Sequence, residues 1–281
     1  MGMVIGIDVG GSTTKIVGIE NNQIIRPMFI TAADPVTSLF GAFGKYLHDN
    51  NILLGDIEQV MITGVGSAFV STPIYGLPTA MADEFTADGL GARHDIDIDK
   101  LIVVSMGTGT SFVKIDHDEI NHIGGIAMGG GTLQGLSNLI LNTHSVNQVA
   151  ELAQQGDHTK VDLLIGDVCN TDLPGLPLYA TASLLGKAHS DSAPEDIAAG
   201  LIVTVLQTIG CAAVLCSLNS GIKDFVMIGN LTRLPQCKDV FTELEGLYGV
   251  RFHIPPYAVY ATAIGAALSY IKGKTLKKTT N

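Results

Sequence analysis

Basic residues are scarce in this chain of 281 residues: 16 Lys and Arg stand against 27 Asp and Glu, a formal charge of -11. That deficit argues against a nucleic-acid partner, because binding along a phosphate backbone needs a surplus of cations on one face. Any phosphate bound here has to be held locally. Cysteine is sparse too, and Cys169, Cys211, Cys216 and Cys237 show no C-x-x-C spacing. Cys211 and Cys216 fall in an apolar segment and read as buried reduced thiols, which suits a cytoplasm. The first residues lack the basic region and apolar core of an export signal, since Asp8 and a glycine pair interrupt them at once. Only residues 198–218 form a long apolar run, nearly enough to span a bilayer. Thr204, Gln207 and Thr208 near its middle, with no basic flank close behind, favour a helix in the core or at a subunit interface over a membrane span. With 46% hydrophobic residues the chain has ample apolar surface to bury, and its length predicts two domains rather than one.

What is abundant is glycine in particular places. Met3-Val-Ile-Gly-Ile-Asp-Val-Gly-Gly-Ser-Thr-Thr-Lys-Ile-Val-Gly-Ile19 is an apolar run that breaks on Gly10-Gly11 and resumes, the pattern of strand, tight turn, strand. The glycines let backbone N–H groups approach a ligand, and Ser12, Thr13 and Thr14 add hydroxyls. Asp8 and Lys15 flank the turn with a magnesium-compatible carboxylate and a phosphate-compatible ammonium. A plain hairpin with a polar tip fits this stretch equally well when it is taken alone. Leu101-Ile-Val-Val-Ser-Met-Gly-Thr-Gly-Thr-Ser-Phe-Val-Lys-Ile115 repeats the plan, with Gly107 in the place of Gly10 and hydroxyls at Thr108, Thr110 and Ser111. Two such halves predict two α/β lobes facing each other across a cleft that holds a nucleotide's phosphates.

Residues 34–51 have helical spacing, and residues 57–62 read as a strand ending in Thr63-Gly64-Val-Gly66, glycines placed to line a cleft or to form a simple loop. Met81, Glu84, Phe85 and Asp88 share one helix face. Glu84 among apolar neighbours is either a solvated surface residue or a carboxylate withdrawn enough from water to act as a general base. Gly124 to Gly131 form a glycine-dense loop feeding a helix that starts near Leu133, a geometry that collects anions at free N–H groups. Asp224 to Ile228 is a strand ending in Gly229-Asn230, residues 250–254 are a last strand, residues 258–271 a small-residue helix, and residues 272–281 are expected to be disordered.

Taken together, Asp8-Val-Gly-Gly-Ser-Thr-Thr-Lys15, Asp83-Glu-Phe85, Met106-Gly-Thr-Gly-Thr-Ser111, Gly124-Gly-Ile-Ala-Met-Gly-Gly-Gly131, Ala153-Gln-Gln-Gly-Asp157 and Ile228-Gly-Asn230 resemble the type II pantothenate kinases of the actin/Hsp70/sugar-kinase superfamily, in the same order along nearly the whole chain. The resemblance implies an α/β fold of duplicated ribonuclease-H-like, actin-like ATPase lobes around a nucleotide cleft, residues 1–96 forming the first and residues 97–281 the second. It implies transfer of a phosphoryl group from ATP with Mg2+ to the primary hydroxyl of pantothenate, the first step towards coenzyme A, in a cytoplasmic homodimer with no nucleic-acid or membrane partner. Glu84 matches the catalytic base. Nucleotide binding falls to Asp8, Gly10, Gly11, Ser12, Thr13, Lys15, Gly107, Thr108, Gly109, Thr110, Gly130, Gly131, Thr132, Leu133, Gln134, Gly229 and Asn230, with Asp8 on the metal. Ser105, His122 and Gly125 join Glu84 on the acceptor.

Two departures from the family pattern stand out. Glu84-Phe-Thr-Ala87 replaces Glu-Phe-Asp-Ala, and His122-Ile123 replaces an Arg-Val pair whose arginine contacts pantothenate. An imidazole cannot form a guanidinium fork. Either Arg93 supplies the missing cation and pantothenate is the acceptor, or pantothenate is bound poorly, or an uncharged relative such as pantetheine is preferred, or His122 has to be protonated and mildly acid pH favours the reaction. An ATPase that drives a partner protein, as the dehydratase activators do, is the alternative class.

Overall fold

The computed structural model describes residues 2–11, 13–31, 34–70, 73–171 and 174–279, apart from the side chains of residues 35 and 274–279. The first half gives β1 (Met3–Val9), β2 (Thr13–Glu20), β3 (Gln23–Thr31), α1 (Pro35–Asn50), β4 (Ile57–Thr63), β5 (Thr79–Met81) and α2 (Glu84–Ala92). The second gives β6 (Lys100–Met106), β7 (Thr110–Asp116), β8 (Glu119–Ile126), α3 (Gly130–Leu141), α4 (Val146–Ala153), a small ladder of β9 (Leu163–Leu164) and β10 (Thr181–Ser183) around α5 (Ile165–Val168), then α6 (Pro194–Ser217), β11 (Asp224–Ile228), α7 (Cys237–Tyr248), β12 (Arg251–His253) and α8 (Ala261–Thr279).

The duplication expected from the two glycine hairpins is present in the topology. The first sheet runs β3-β2-β1-β4-β5 and the second β8-β7-β6-β11-β12. In each, the first three strands pair antiparallel and the last two add in parallel. A parallel addition needs a crossover long enough to hold a helix, and residues 32–56 and 127–223 supply one in each lobe. Helix α1 starts where Asp34 accepts from the Thr37 N–H at 2.7 Å, and Pro35 opens it with a preset φ.

Helices α8 and α2 lie between the two sheets. Ala263, Ile264, Ala266 and Ala267 of α8 pack on Val4, Val17, Ile19 and Met61 of the first sheet, whereas Phe85 and Ala92 of α2 join Leu101, Val103, Val113, Ile115, Val226 and Ile228 of the second. Residues expected to belong wholly to the second lobe thus cover the first. The tail departs from expectation as well, with helix continuing through Thr279. Helix α6 is long and apolar enough to cross a membrane, yet 67% of its apolar window is buried in the protein, in the core of the second lobe with residues of α3, α4 and α7.

Candidate active site

Asp8 and Lys15 are direct partners across the β1–β2 ladder, and the Lys15 ammonium donates to Asp8 Oδ2 at 2.9 Å with both side chains nearly buried. The turn beyond them is closed by the Gly10 N–H donating to the Thr13 carbonyl at 2.9 Å. A Cβ at Gly11 would meet nothing within 4 Å, so that glycine forms an open wall; Ser12 lies outside the described residues. Gly64, at the end of β4 with φ +86, comes so close to Asp8 that a Cβ there would stand 2.6 Å from Asp8 Oδ1. Only glycine combines that backbone angle with that approach.

The second hairpin is tied to its own lobe. Gly107 and Thr108 turn their carbonyls onto the first turn of α3 and accept from the Gly130 and Gly131 N–H groups at 2.8 and 3.0 Å. Those two amides, expected to be free for an anion, are therefore engaged by the neighbouring hairpin. Gly124 and Gly125 also belong to strand β8 rather than to a loop. Thr110 Oγ1 donates to the Met128 carbonyl at 2.8 Å. Gly229 has φ +94, and a Cβ on it would lie 2.5 Å from the Met106 carbonyl; the resulting tight turn lets Asn230 reach the other lobe, where its Nδ2 donates to Thr13 Oγ1 at 3.2 Å. Local contacts thus tie Gly107 and Thr108 to Gly130 and Gly131, Thr110 to Met128, Gly229 to Met106, and Asn230 to Thr13 of the other lobe. Three other expected residues are directed elsewhere: Leu133 is fully buried in the core, Gln134 donates to the His144 carbonyl at 3.1 Å, and Thr132 donates to the Ala127 carbonyl at 3.1 Å.

Glu84 is the first residue of α2. Asp83 caps the helix, accepting both the N–H and the hydroxyl of Thr86 at 2.8 Å, so the threonine that replaces the family's aspartate is turned into the cap. Burial raises the affinity of the Glu84 carboxyl for a proton, the Asp8 carboxylate raises it further, Lys15 opposes, and Asp83 adds to the rise. Glu84, Asp8 and Lys15 thus share one electrostatic field. One turn further along α2, Asp88 is fully buried; Thr262 of α8 donates to its Oδ1 at 2.6 Å, while no protein atom is bonded to Oδ2. Burial pushes Asp88 up to about 7 against the Thr262 bond, Glu84 and Asp8 add to the rise, and the Ser105 hydroxyl opposes it. Asp88 was visible in the helix spacing, but its partner Thr262 gave no sequence signal.

Of the residues expected at the acceptor, His122 is exposed and stacks face to face on Phe85, with ring centroids 3.8 Å apart and planes at 10°. Gly125 lies beside Ser111 on the same hairpin, and Ser105 lies opposite Ser111. Arg93 does not approach this group. It closes the far end of α2, donating to the His117 carbonyl and lying 3.8 Å from Asp99. The cysteines also differ from expectation: Cys237 is buried, but Cys216 is exposed and Cys211 half-buried.

The sequence model of the Fumble family matches residues 92–240. A type II pantothenate kinase of Staphylococcus aureus (strain USA300) is 28% identical, the alignment covering 94% of this chain and 98% of that protein. Among solved structures, the activator of 2-hydroxyisocaproyl-CoA dehydratase from Clostridium difficile with bound ADPNP superposes with a TM-score of 0.72 at 16% identity, over 99% of this chain and 98% of that one. Component A of (R)-2-hydroxyglutaryl-CoA dehydratase from Acidaminococcus fermentans gives 0.70 at 20% identity, over 97% and 99%. The fold is therefore that of the actin-like ATPases, as the sequence resemblance implied.

Proposed function

Because the chain belongs to the Fumble family, we propose that it is an ATP-dependent kinase that phosphorylates a small alcohol, with pantothenate as the first candidate acceptor. The observation that carries this reading is the Glu84 carboxylate at the head of α2, half-withdrawn from water and in the field of the Asp8–Lys15 pair. In that position Glu84 takes the proton of the attacking hydroxyl, while the Lys15 ammonium and the Gly10–Thr13 turn face the transferred phosphoryl group. Thr13, Gly107 to Thr110, Gly229 and Asn230 then hold the nucleotide between the lobes.

Among the described residues no group of three or more His, Cys, Asp or Glu could hold a metal ion on its own. Asp8, whose Oδ2 is held by the Lys15 ammonium, would meet a magnesium ion through Oδ1 or through water, the ion taking most of its ligands from phosphate and water. Such an ion would offset charge on the phosphates.

Pantothenate itself rests on the relative at 28% identity. The His122–Phe85 stack gives that acceptor an aromatic plate in place of a guanidinium, and Arg93 is committed elsewhere. ADP release with pantothenate, pantetheine and simple sugars, for wild type and His122→Arg, tests the assignment. Efficient wild-type turnover of pantothenate supports it; turnover confined to pantetheine, or to pantothenate only after His122→Arg, moves the acceptor to an uncharged relative.

A second reading, an ATPase that drives a partner, is favoured by the fold likeness to the dehydratase activators. ATP hydrolysis that no small alcohol stimulates would select it. We further propose a homodimer, supported by the exposed Leu139, Ile140, Leu215 and Leu218 on α3 and at the end of α6, and a place in the cytoplasm, which rests on the bacterial relative alone.

A further inference from the structure

Asp88 is an ionisable group that the reaction at Glu84 does not use. It lies one helical turn beyond Glu84, is 1% exposed, and sits in the seam between α2, α8 and the second sheet. The polar groups that act on it come from four elements: the Glu84 carboxylate of α2 and the Asp8 carboxylate of β1 by their charge, the Ser105 hydroxyl of β6 and the Thr262 hydroxyl of α8 by hydrogen bonding; around α2 the second sheet is apolar, with Val113, Ile115, Ile120, Val226 and Ile228. The ammonium of this region, Lys15, is bound to Asp8. An ionised Asp88 would place a third negative charge in a water-excluded seam with no cation of its own, which is unfavourable. The neutral acid adds no charge and still accepts from Thr262.

The same bond has a mechanical consequence. Helices α2 and α8 approach so closely that a Cβ on Gly91 would stand 1.7 Å from the Ala261 carbonyl, and one on Gly265 1.7 Å from the Ala87 carbonyl. The bond from Thr262 to Asp88 fixes the register of this contact directly behind the first turn of α2.

We infer that Asp88 is a positioning residue for phosphoryl transfer: held as the neutral acid and bonded by Thr262, it fixes the Glu84 end of α2 against α8 without placing charge beneath the base. This inference rests on the reading of Glu84 as the base. It sets Asp88→Asn, a neutral isostere, apart from Asp88→Ala, which removes the anchor.

The test is ADP release from ATP with pantothenate or pantetheine across pH 5.5–8.5, for wild type, Asp88→Asn, Asp88→Ala and Glu84→Gln. Asp88→Ala should lose about tenfold or more in kcat with KM for ATP little changed, as expected when a reacting group is misplaced. Asp88→Asn should restore most of kcat. Wild-type turnover should decline as pH rises through about 7, where Asp88 gives up its proton, and the Asn variant should lack that decline. Wild-type kcat in Asp88→Ala, or superimposable pH profiles for wild type and Asp88→Asn, would overturn the proposal.

Thermal unfolding supplies a readout that needs no acceptor and no stable alanine variant. A carboxyl that holds its proton more tightly when folded favours the folded state in acid and loses that contribution as pH rises to its folded value. The unfolding temperature of Asp88→Asn relative to wild type should therefore climb from about pH 4 to about 7 and level off above it; a difference independent of pH contradicts the neutral acid. If Glu84→Gln turns over at the wild-type rate, the base assignment fails, and the unfolding comparison still decides the state of Asp88.

Discussion

Glu84→Gln keeps the shape of the side chain and removes its ability to accept a proton. Turnover should fall by roughly 10²–10⁴-fold, the usual contribution of a positioned base, with ATP affinity by calorimetry changed less than about twofold. Loss of ATP binding in step with turnover would show that Glu84 holds the nucleotide instead. The pH dependence has a definite sign: the carboxyl is held above the ordinary glutamate range by burial and by Asp8, so the rate falls as pH drops through that raised value and the base takes a proton. Helix spacing alone allowed both a solvated Glu84 and a withdrawn one, because burial depends on the second sheet packing over α2. Asp88 was legible only as a position on that face. The hydroxyl that bonds it stands 174 residues away, and no local pattern announces such a contact. The exposure of Cys216 was missed for the opposite reason, an apolar sequence around it that continues past the end of the buried part of α6.

At the scale of elements, two glycines make opposite predictions. Gly265 on α8 faces the Ala87 carbonyl at a distance no Cβ can share. Gly265→Ala should therefore push α8 away from α2, lowering stability by about 1–3 kcal/mol and disturbing Glu84 and Asp88 with it. Gly41 on α1 is exposed and a Cβ there would meet nothing within 4 Å, so Gly41→Ala should raise stability by about 0.5–1 kcal/mol through helix propensity alone. Thermal unfolding of the two variants checks both signs, and equal shifts would remove the tight α2–α8 contact from the account. The glycine hairpins were legible as elements because Gly10-Gly11 and Gly107-Thr-Gly109 each interrupt an apolar run that then resumes, although none of these glycines is held at a positive φ. The role of the glycines from Gly124 to Gly131 was less legible: composition alone does not separate a strand that bulges from a loop, nor show that Gly107 and Thr108 occupy the amides of α3.

For the whole molecule, the repeat at Gly10 and Gly107 was enough to anticipate two similar α/β lobes, and the structure adds that their sheets share one strand order. What it did not reveal is that α8 returns to cover the first sheet, since an Ala- and Gly-rich helix suits any close neighbour. The apolar stretch of α6 is largely covered by its own lobe, so dimerisation has to rest on the residues left outside, including Leu139 and Leu215 at 85% and 66% exposure. Light scattering at micromolar concentration should give twice 29.5 kDa, with Leu139→Glu and Leu215→Glu together restoring the monomer mass; a wild-type monomer would refute the dimer. The central claim, transfer of a phosphoryl group to an alcohol by Glu84 in the cleft, is tested most directly by ³¹P NMR of ATP and pantothenate incubated with wild type and with Glu84→Gln. The account predicts a new phosphomonoester resonance growing with ADP for the wild type and neither for the variant; ADP accompanied only by inorganic phosphate, with pantothenate unchanged, would contradict it.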